Sequence, residues 1–415
     1  MQPSFEAKLN EYAELVVAHG LNVQRGQIVN VAAEAYQRDF ALLVTKAAYL
    51  RGAKFVNVDL IDLRTLRERI LRTSEEELTY APSYFGVKYR ELVDQGGANI
   101  KIVGFEDPDI LADLDPKKVN VQRLHQHLAI KYFYDEGIGK SRVHWTVVAA
   151  ATPAWGKKIF PELSPGDAER KLWNEIFKLC RVEGKGDSVT RWKEHNRILQ
   201  SRARTLTALN IKELHFTGPG TDLFVGLSPK AVFIGGSSPG PHGVEYEPNI
   251  PTEECFTTPD YRKTSGKVRT TRPFLVSGKM VEGLELQFEN GKIVDFTASS
   301  GGDTFREYIS SDEGGSRLGE VALVGVDSPV FQSGLLFREI LFDENAACHI
   351  AIGSAYKFCL KGGESMRQEE LHEIGCNESS VHTDMMISSV EVSVVGQLYG
   401  GGSKMLIHNG KWVDL

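Results

Sequence analysis

The residues able to do chemistry gather in the second half of the chain: Glu253 and Glu254, Glu320, His349, Tyr356, His382 and Asp384. His382 and Asp384 are spaced i, i+2, so on an extended segment both side chains face one side and converge on one point. That arrangement suits a divalent cation or a catalytic pair, and Met385-Met386-Ile387 would wall it with apolar groups. Glu253 and Glu254 are adjacent and on an extended segment point to opposite sides. One can bind a metal while the other faces a substrate as a base, and Pro251 restrains the loop before them. Glu320 opens the apolar run 321–324. A carboxylate entering a buried strand needs a partner, which Arg317 or a metal ion can supply. His349, among small and apolar neighbours, fits either a core position or a ligand, and Tyr356 fits core, interface or site.

Each signal has an ordinary structural explanation alone: a strand end, a solvated pair of charges, a packed histidine. Together they are three acids and two histidines with little competing chemistry. That inventory fits a dinuclear site of carboxylate and imidazole without thiolate. Two divalent ions would be nearly neutralised by Glu254, Glu320, Asp384 and a bridging hydroxide.

Familiar alternatives are missing. No Gly-x4-Gly-Lys-[Ser/Thr] occurs, and no Gly-x-Gly-x-x-Gly follows an early strand. Gly236-Ser-Ser238-Pro-Gly240 has the letters of a nucleophile elbow, but Pro239, Gly240, Pro241 and Gly243 forbid the helix that must follow the serine. His372-Glu373 lacks the second histidine of a zincin helix.

The 415 residues suggest two or three domains. With 48 Lys+Arg against 55 Asp+Glu the net charge is −7, which disfavours a nucleic-acid partner. Five cysteines without a Cys-x-x-Cys pair argue for reduced, buried thiols and a cytoplasmic protein. The N-terminus shows no secretory signal, and the longest apolar stretch, about 146–155, is too short to span a membrane.

The elements that must position these residues follow from periodicity. Helices are predicted at 5–17, 40–50, 64–73, 76–95 and 119–134, alternating with strands at 28–33, 54–60, 99–105 and 143–150. Alternation of this kind gives a mostly parallel sheet covered on both faces. Two further helices, 167–182 and 190–209, flank a glycine-bearing hinge at 182–187. Short strands follow at 214–218, 222–227, 231–235, 267–276, 284–288 and 293–296, with possible helices at 305–311 and 334–342. Asn290-Gly291 and Asn409-Gly410 are strong hairpin signals, the latter joining 403–408 to 411–415. The expected architecture is an α/β N-terminal domain (1–185) with a mostly parallel sheet, and an α+β catalytic domain (186–415) rich in antiparallel strands.

The order Asn249-Ile-Pro-Thr-Glu-Glu254, then Gly319-Glu320, then His349 with Gly353-Ser-Ala-Tyr356, then His382-Thr-Asp384, resembles the aminopeptidase T / aminopeptidase S family of bacterial dinuclear metallo-aminopeptidases. The likeness covers the whole chain in length and character, with its specific motifs between Asn249 and Asp384. It implies metal ligands at Glu254, Glu320, His349, Tyr356, His382 and Asp384. It also implies a homodimer whose C-terminal halves enclose a cavity, acting on peptides with a free N-terminus. Two ions (zinc, cobalt, manganese or magnesium) bridged by Glu320 would activate a water. By analogy with other dinuclear peptidases Glu253 is the general base, and Tyr356 either ligates or donates to the developing oxyanion. The competing expectations are a dinuclear hydrolase of another amide or a phosphate ester, and a non-catalytic small-ligand binder.

Overall fold

The computed structural model describes residues 3–413, so the last two positions of the predicted strand 411–415 lie outside the described residues. Its contacts separate two compact units, Met1–Arg197 with Ser237–Thr252, and Ile198–Gly236 with Glu253–Leu415. A cut at 185/186 falls inside the first of these.

The first unit is built on five parallel strands in the order Phe55–Ile61, Ile28–Glu34, Ala98–Val103, His144–Ala149 and Asn249–Ile250. Helices connect the first four, as the alternating pattern requires. Asp62 caps Leu63–Arg72 by accepting the Arg64 N–H, and Asp115 caps Pro116–Ala129 by accepting the Lys117 N–H. Three differences from expectation have local causes. The helix predicted at 76–95 is two, Glu75–Leu78 and Ser83–Asp94, because Pro82 between them lacks an N–H. The helix predicted at 119–134 stops at Ala129, and a π-helical turn, Phe133–Ile138, follows. Helix Pro153–Ile159 lay hidden in the tail of an apolar run, although Thr152 caps it and Pro153 opens it. The predicted hinge at 182–187 belongs to the first unit. There the Glu11 carboxylate accepts the N–H groups of Gly184 and of Ser188, the latter at 2.9 Å.

The second unit holds two antiparallel sheets. The larger has eight strands in the order Lys292–Thr297, Glu285–Glu289, Pro259–Arg269, Thr221–Leu227, Ile211–Gly218, Ser393–Leu398, Ser403–His408 and Lys411–Trp412. Both Asn-Gly pairs close two-residue hairpins, with φ of 49° and 80° at Asn290-Gly291 and 48° and 75° at Asn409-Gly410. The smaller sheet runs Cys255–Thr257, Leu318–Leu323, His349–Gly353, His382–Met386. The middle two of these strands are buried at every position, which explains their continuous apolar runs.

Residues 231–235 do not form the predicted strand. Ala231 and Ile234 make single bridges to different partners, Leu360 and Phe256, so no ladder develops. The strand predicted at 267–276 is the end of Pro259–Arg269 plus Phe274–Val276, with Pro273 between them. The helix predicted at 334–342 is confined to Ile340–Asp343, and that at 305–311 is Gly302–Ile309. The expected fold class, a parallel α/β part followed by a largely antiparallel α+β part, describes the protein.

Candidate metal centre

The smaller sheet brings five of the singled-out residues together, and strand register explains how. Ala351 lies opposite Glu320 on one neighbour and opposite Asp384 on the other. Directly opposed residues share a face, so both carboxylates project from the same side, separated by one methyl group. Two positions away along the strands, His349 is opposite Ala322, and His382 is opposite Gly353. The first strand pairs Phe256 with Ala322, so alternation puts Glu254, two residues earlier, on this face as well. Glu320, Asp384, His349 and His382 each have a small residue, alanine or glycine, as a cross-strand neighbour, although His349 also faces Met386 on its other side.

Alternation also settles the two cysteines beside proposed ligands. Cys255 and Cys348 turn to the opposite face and join the hydrophobic core. The Cys255 thiol donates to the Leu199 carbonyl at 3.6 Å, and the Cys348 thiol to the Val324 carbonyl at 3.4 Å. All five cysteines are buried, and none is in a disulfide.

The converging atoms form two groups within metal-binding reach, Glu254 with Glu320 and His349, and Glu320 with His382 and Asp384. His349 Nε2 is 3.1 Å from Glu254 Oε2 and 3.9 Å from Glu320 Oε1. His382 Nε2 is 3.3 Å from Glu320 Oε2 and 3.6 Å from Asp384 Oδ1. Each ring is oriented through its other nitrogen, His349 Nδ1 on the Ala347 carbonyl at 3.2 Å and His382 Nδ1 on the Ser354 carbonyl at 2.8 Å. A backbone acceptor at Nδ1 leaves Nε2 to serve as a ligand. Arg317, the alternative partner for Glu320, instead directs its guanidinium to the carbonyls of Tyr261 and Asn290, at 3.4 and 3.2 Å.

Electrostatics make the cluster costly without a cation. Burial, reinforced by Asp384 and Glu254, lifts the Glu320 carboxyl to about 7 against the pull of His382. Burial alone would lower His349, but Glu254, Asp384 and Glu320 outweigh it and raise the ring to about 9. Asp384 is held low despite its burial, chiefly by His382. Glu254 Oε2 is buried and makes no proper hydrogen bond, even with His349 Nε2 nearby. A buried carboxylate oxygen whose near neighbour is an imidazole nitrogen of the same convergent oxygen–nitrogen donor set fits a divalent ion.

Tyr356 follows the strand His349–Gly353, and its ring lies 5.4 Å from that of His382, stacked on Phe358 at 5.1 Å. Burial, with Glu320 and Asp384 close by, keeps its phenol neutral far above the ordinary range. Glu253 is half-buried and outside both groups, as its opposite alternation requires; its N–H donates to Asn345 Oδ1 at 2.6 Å. One acid escaped the sequence reading. Glu344 is buried, and burial together with Asp384, Glu254 and Glu320 pushes its carboxyl well above the usual range. The adjacent pair Asp343-Glu344 after an apolar run was its only sequence signal.

Comparison with known proteins gives the family. The family model described as thermophilic metalloprotease (M29) matches residues 5–412. The chain is 40% identical over 409 residues to aminopeptidase AmpS of Bacillus subtilis (strain 168), covering 99% of each. It is 39% identical over 410 residues to aminopeptidase T of Thermus aquaticus, again covering 99% of each. The solved structure of wild-type AmpT from Thermus thermophilus superposes with a TM-score of 0.90 at 37% identity, covering 99% of this chain and 100% of that one. The chain therefore belongs to the thermophilic metalloprotease (M29) family, as the four motif blocks between Asn249 and Asp384 led us to expect.

Proposed function

We propose that this chain, a metal-dependent aminopeptidase by family, holds two divalent ions: one at Glu254, Glu320 and His349, the other at Glu320, His382 and Asp384. The observation that carries the reading is the division of Glu320, whose Oε1 addresses His349 and whose Oε2 addresses His382. One carboxylate shared between two donor groups would join two ions held there. Zinc, cobalt, manganese and magnesium all accept these donors, so availability selects among them. Bound there, the ions supply Lewis-acid activation of a water and of the scissile carbonyl.

The protein's own groups do the rest. Glu253 is the proposed general base, by analogy with other dinuclear peptidases: it would take a proton from the attacking water and return it to the leaving amine. The neutral Tyr356 phenol keeps an O–H to donate to the carbonyl oxygen as charge develops on it, or serves as a further ligand. The substrate is a peptide whose free α-amine completes the site. The ligands and the base all lie between Glu253 and Asp384, which fits a catalytic role for 186–415 and a supporting one for 1–185. Among the described residues no helix is long and apolar enough to cross a membrane. We place the protein in the cytoplasm as a homodimer; light scattering that returns the mass of a single chain would contradict the dimer.

The test of function is chelator-sensitive release of an amino acid from an aminoacyl anilide, with the N-acetylated anilide left intact. Equal cleavage of the blocked substrate would overturn the reading.

A further inference from the structure

We propose that Asn345 is a positioning residue of this centre: its side-chain amide fixes the peptide that carries Glu253 and Glu254. The inference rests on the metal-centre reading above. Asn345 is fully buried in the short helical turn Glu344–Ala346, just ahead of the strand that bears His349. Its Oδ1 accepts the Glu253 N–H at 2.6 Å. Its Nδ2 donates to the Leu341 carbonyl at 2.9 Å and approaches Glu344 Oε1 at 3.4 Å. Its own carbonyl accepts the Ser328 hydroxyl. One residue thus ties the 328 turn and the 340–346 segment to the entry of the first site strand.

That entry needs an external anchor. Ladder pairing of the first strand begins at Cys255, opposite Leu323, so Glu253 and Glu254 stand just ahead of the ladder. Their side chains point to opposite sides, and a rotation of this peptide would swing the base and a ligand at once. A fixed Glu253 N–H limits that rotation. The residue type also matters. Glu254, Glu320, Asp384 and Glu344 already crowd this region with buried acids. An aspartate would keep the acceptor but add another charge, and an alanine would remove this acceptor of the Glu253 N–H. Asparagine supplies acceptor and donor with no charge.

The test compares wild type with Asn345→Ala and Asn345→Asp in three measurements on the full chain. The first is amide hydrogen exchange over 253–256 in chelator-stripped protein. The second is zinc affinity by competition with a chromogenic chelator, and the third is kcat and KM at saturating zinc. For Asn345→Ala we expect faster exchange at 253 and a loss of roughly 10–100-fold in zinc affinity or kcat, as for other partners that orient metal ligands, with KM little changed. For Asn345→Asp exchange at 253 stays near the wild-type rate, since the acceptor remains. A folded Asn345→Ala protein that melts lower but keeps wild-type exchange, zinc affinity and kcat would reduce Asn345 to a structural residue. If the alanine variant does not fold, fast exchange at 253 in the aspartate variant overturns the proposal and slow exchange supports it. Fewer than two zinc equivalents in wild type would instead sink the two-ion reading, whereas exchange in metal-free protein judges Asn345 separately.

Discussion

His349 and His382 are both ligand-ready because a backbone carbonyl holds Nδ1, and the carboxylates around them differ in what they can do. Glu254 ends in a buried oxygen 3.1 Å from His349 Nε2, Glu320 divides between two imidazoles, and Glu253 stands outside both donor groups. Distinct failures follow. Glu253→Gln should keep its metal content while kcat drops roughly 10²–10⁴-fold, the usual worth of a general base; full turnover would remove the residue from the mechanism. Glu254→Gln and His349→Ala should bind less metal, read by elemental analysis after dialysis, and unchanged stoichiometry would count against the ligand set. Some of this was legible in sequence. The convergence of His382 with Asp384 needs only strand alternation, a property of the local chain. The meeting of Glu254 with His349, 95 positions later, depends on which strands are neighbours, and no local pattern encodes that. Arg317 illustrates the same limit: close to Glu320 in sequence, it is spent on other carbonyls in space.

At the level of elements, the candidate site is a face of a four-stranded sheet in which small residues lie opposite the proposed ligands. Ala351 stands between Glu320 and Asp384, Ala322 beside His349, and Gly353 beside His382. Gly353 also has φ of 96°, and a Cβ there would lie 2.0 Å from the Val381 carbonyl oxygen. We expect Ala351→Val to fold with a loss of about 1–3 kcal/mol from overpacking, and to lose metal because the added methyls occupy the gap between the carboxylates. Denaturant unfolding with metal analysis checks both; a variant that retains full metal would show that the gap is not where ions bind. Elements set by local chemistry were readable beforehand, such as the Asn-Gly hairpins and the alternating strands and helices of the first unit. Two of those missed were set by a single proline or by scattered partners. Pro82 divides a helix that periodicity alone reads as continuous. Residues 231–235 look like a strand but find two unrelated partners.

For the whole molecule, the two units are interleaved in sequence, since the chain leaves the first at Arg197, returns at Ser237 and leaves again after Thr252. The return supplies Asn249–Ile250, the fifth strand of the parallel sheet, too short to register in any sequence pattern. The same sheet contains a pH liability. His144 is buried against Tyr246, with ring centroids 5.1 Å apart, and burial holds its imidazole down to about 4. Its folded value lies below the unfolded value of 6.5, so its neutral form favours the fold. That contribution, up to about 3 kcal/mol, is present above about pH 6.5 and is lost as pH falls toward 4. Melting temperature should therefore drop across this window, and less steeply in His144→Gln; parallel profiles would remove His144 as the cause.

The central claim is that Glu320 joins two metal sites, and titration of chelator-stripped protein with zinc, counting bound equivalents and restored activity together, tests it most directly. Wild type should bind two equivalents per chain, with activity that tracks their filling, and Glu320→Gln should bind poorly at both sites. A single equivalent in wild type, or two undiminished equivalents in Glu320→Gln, would contradict it.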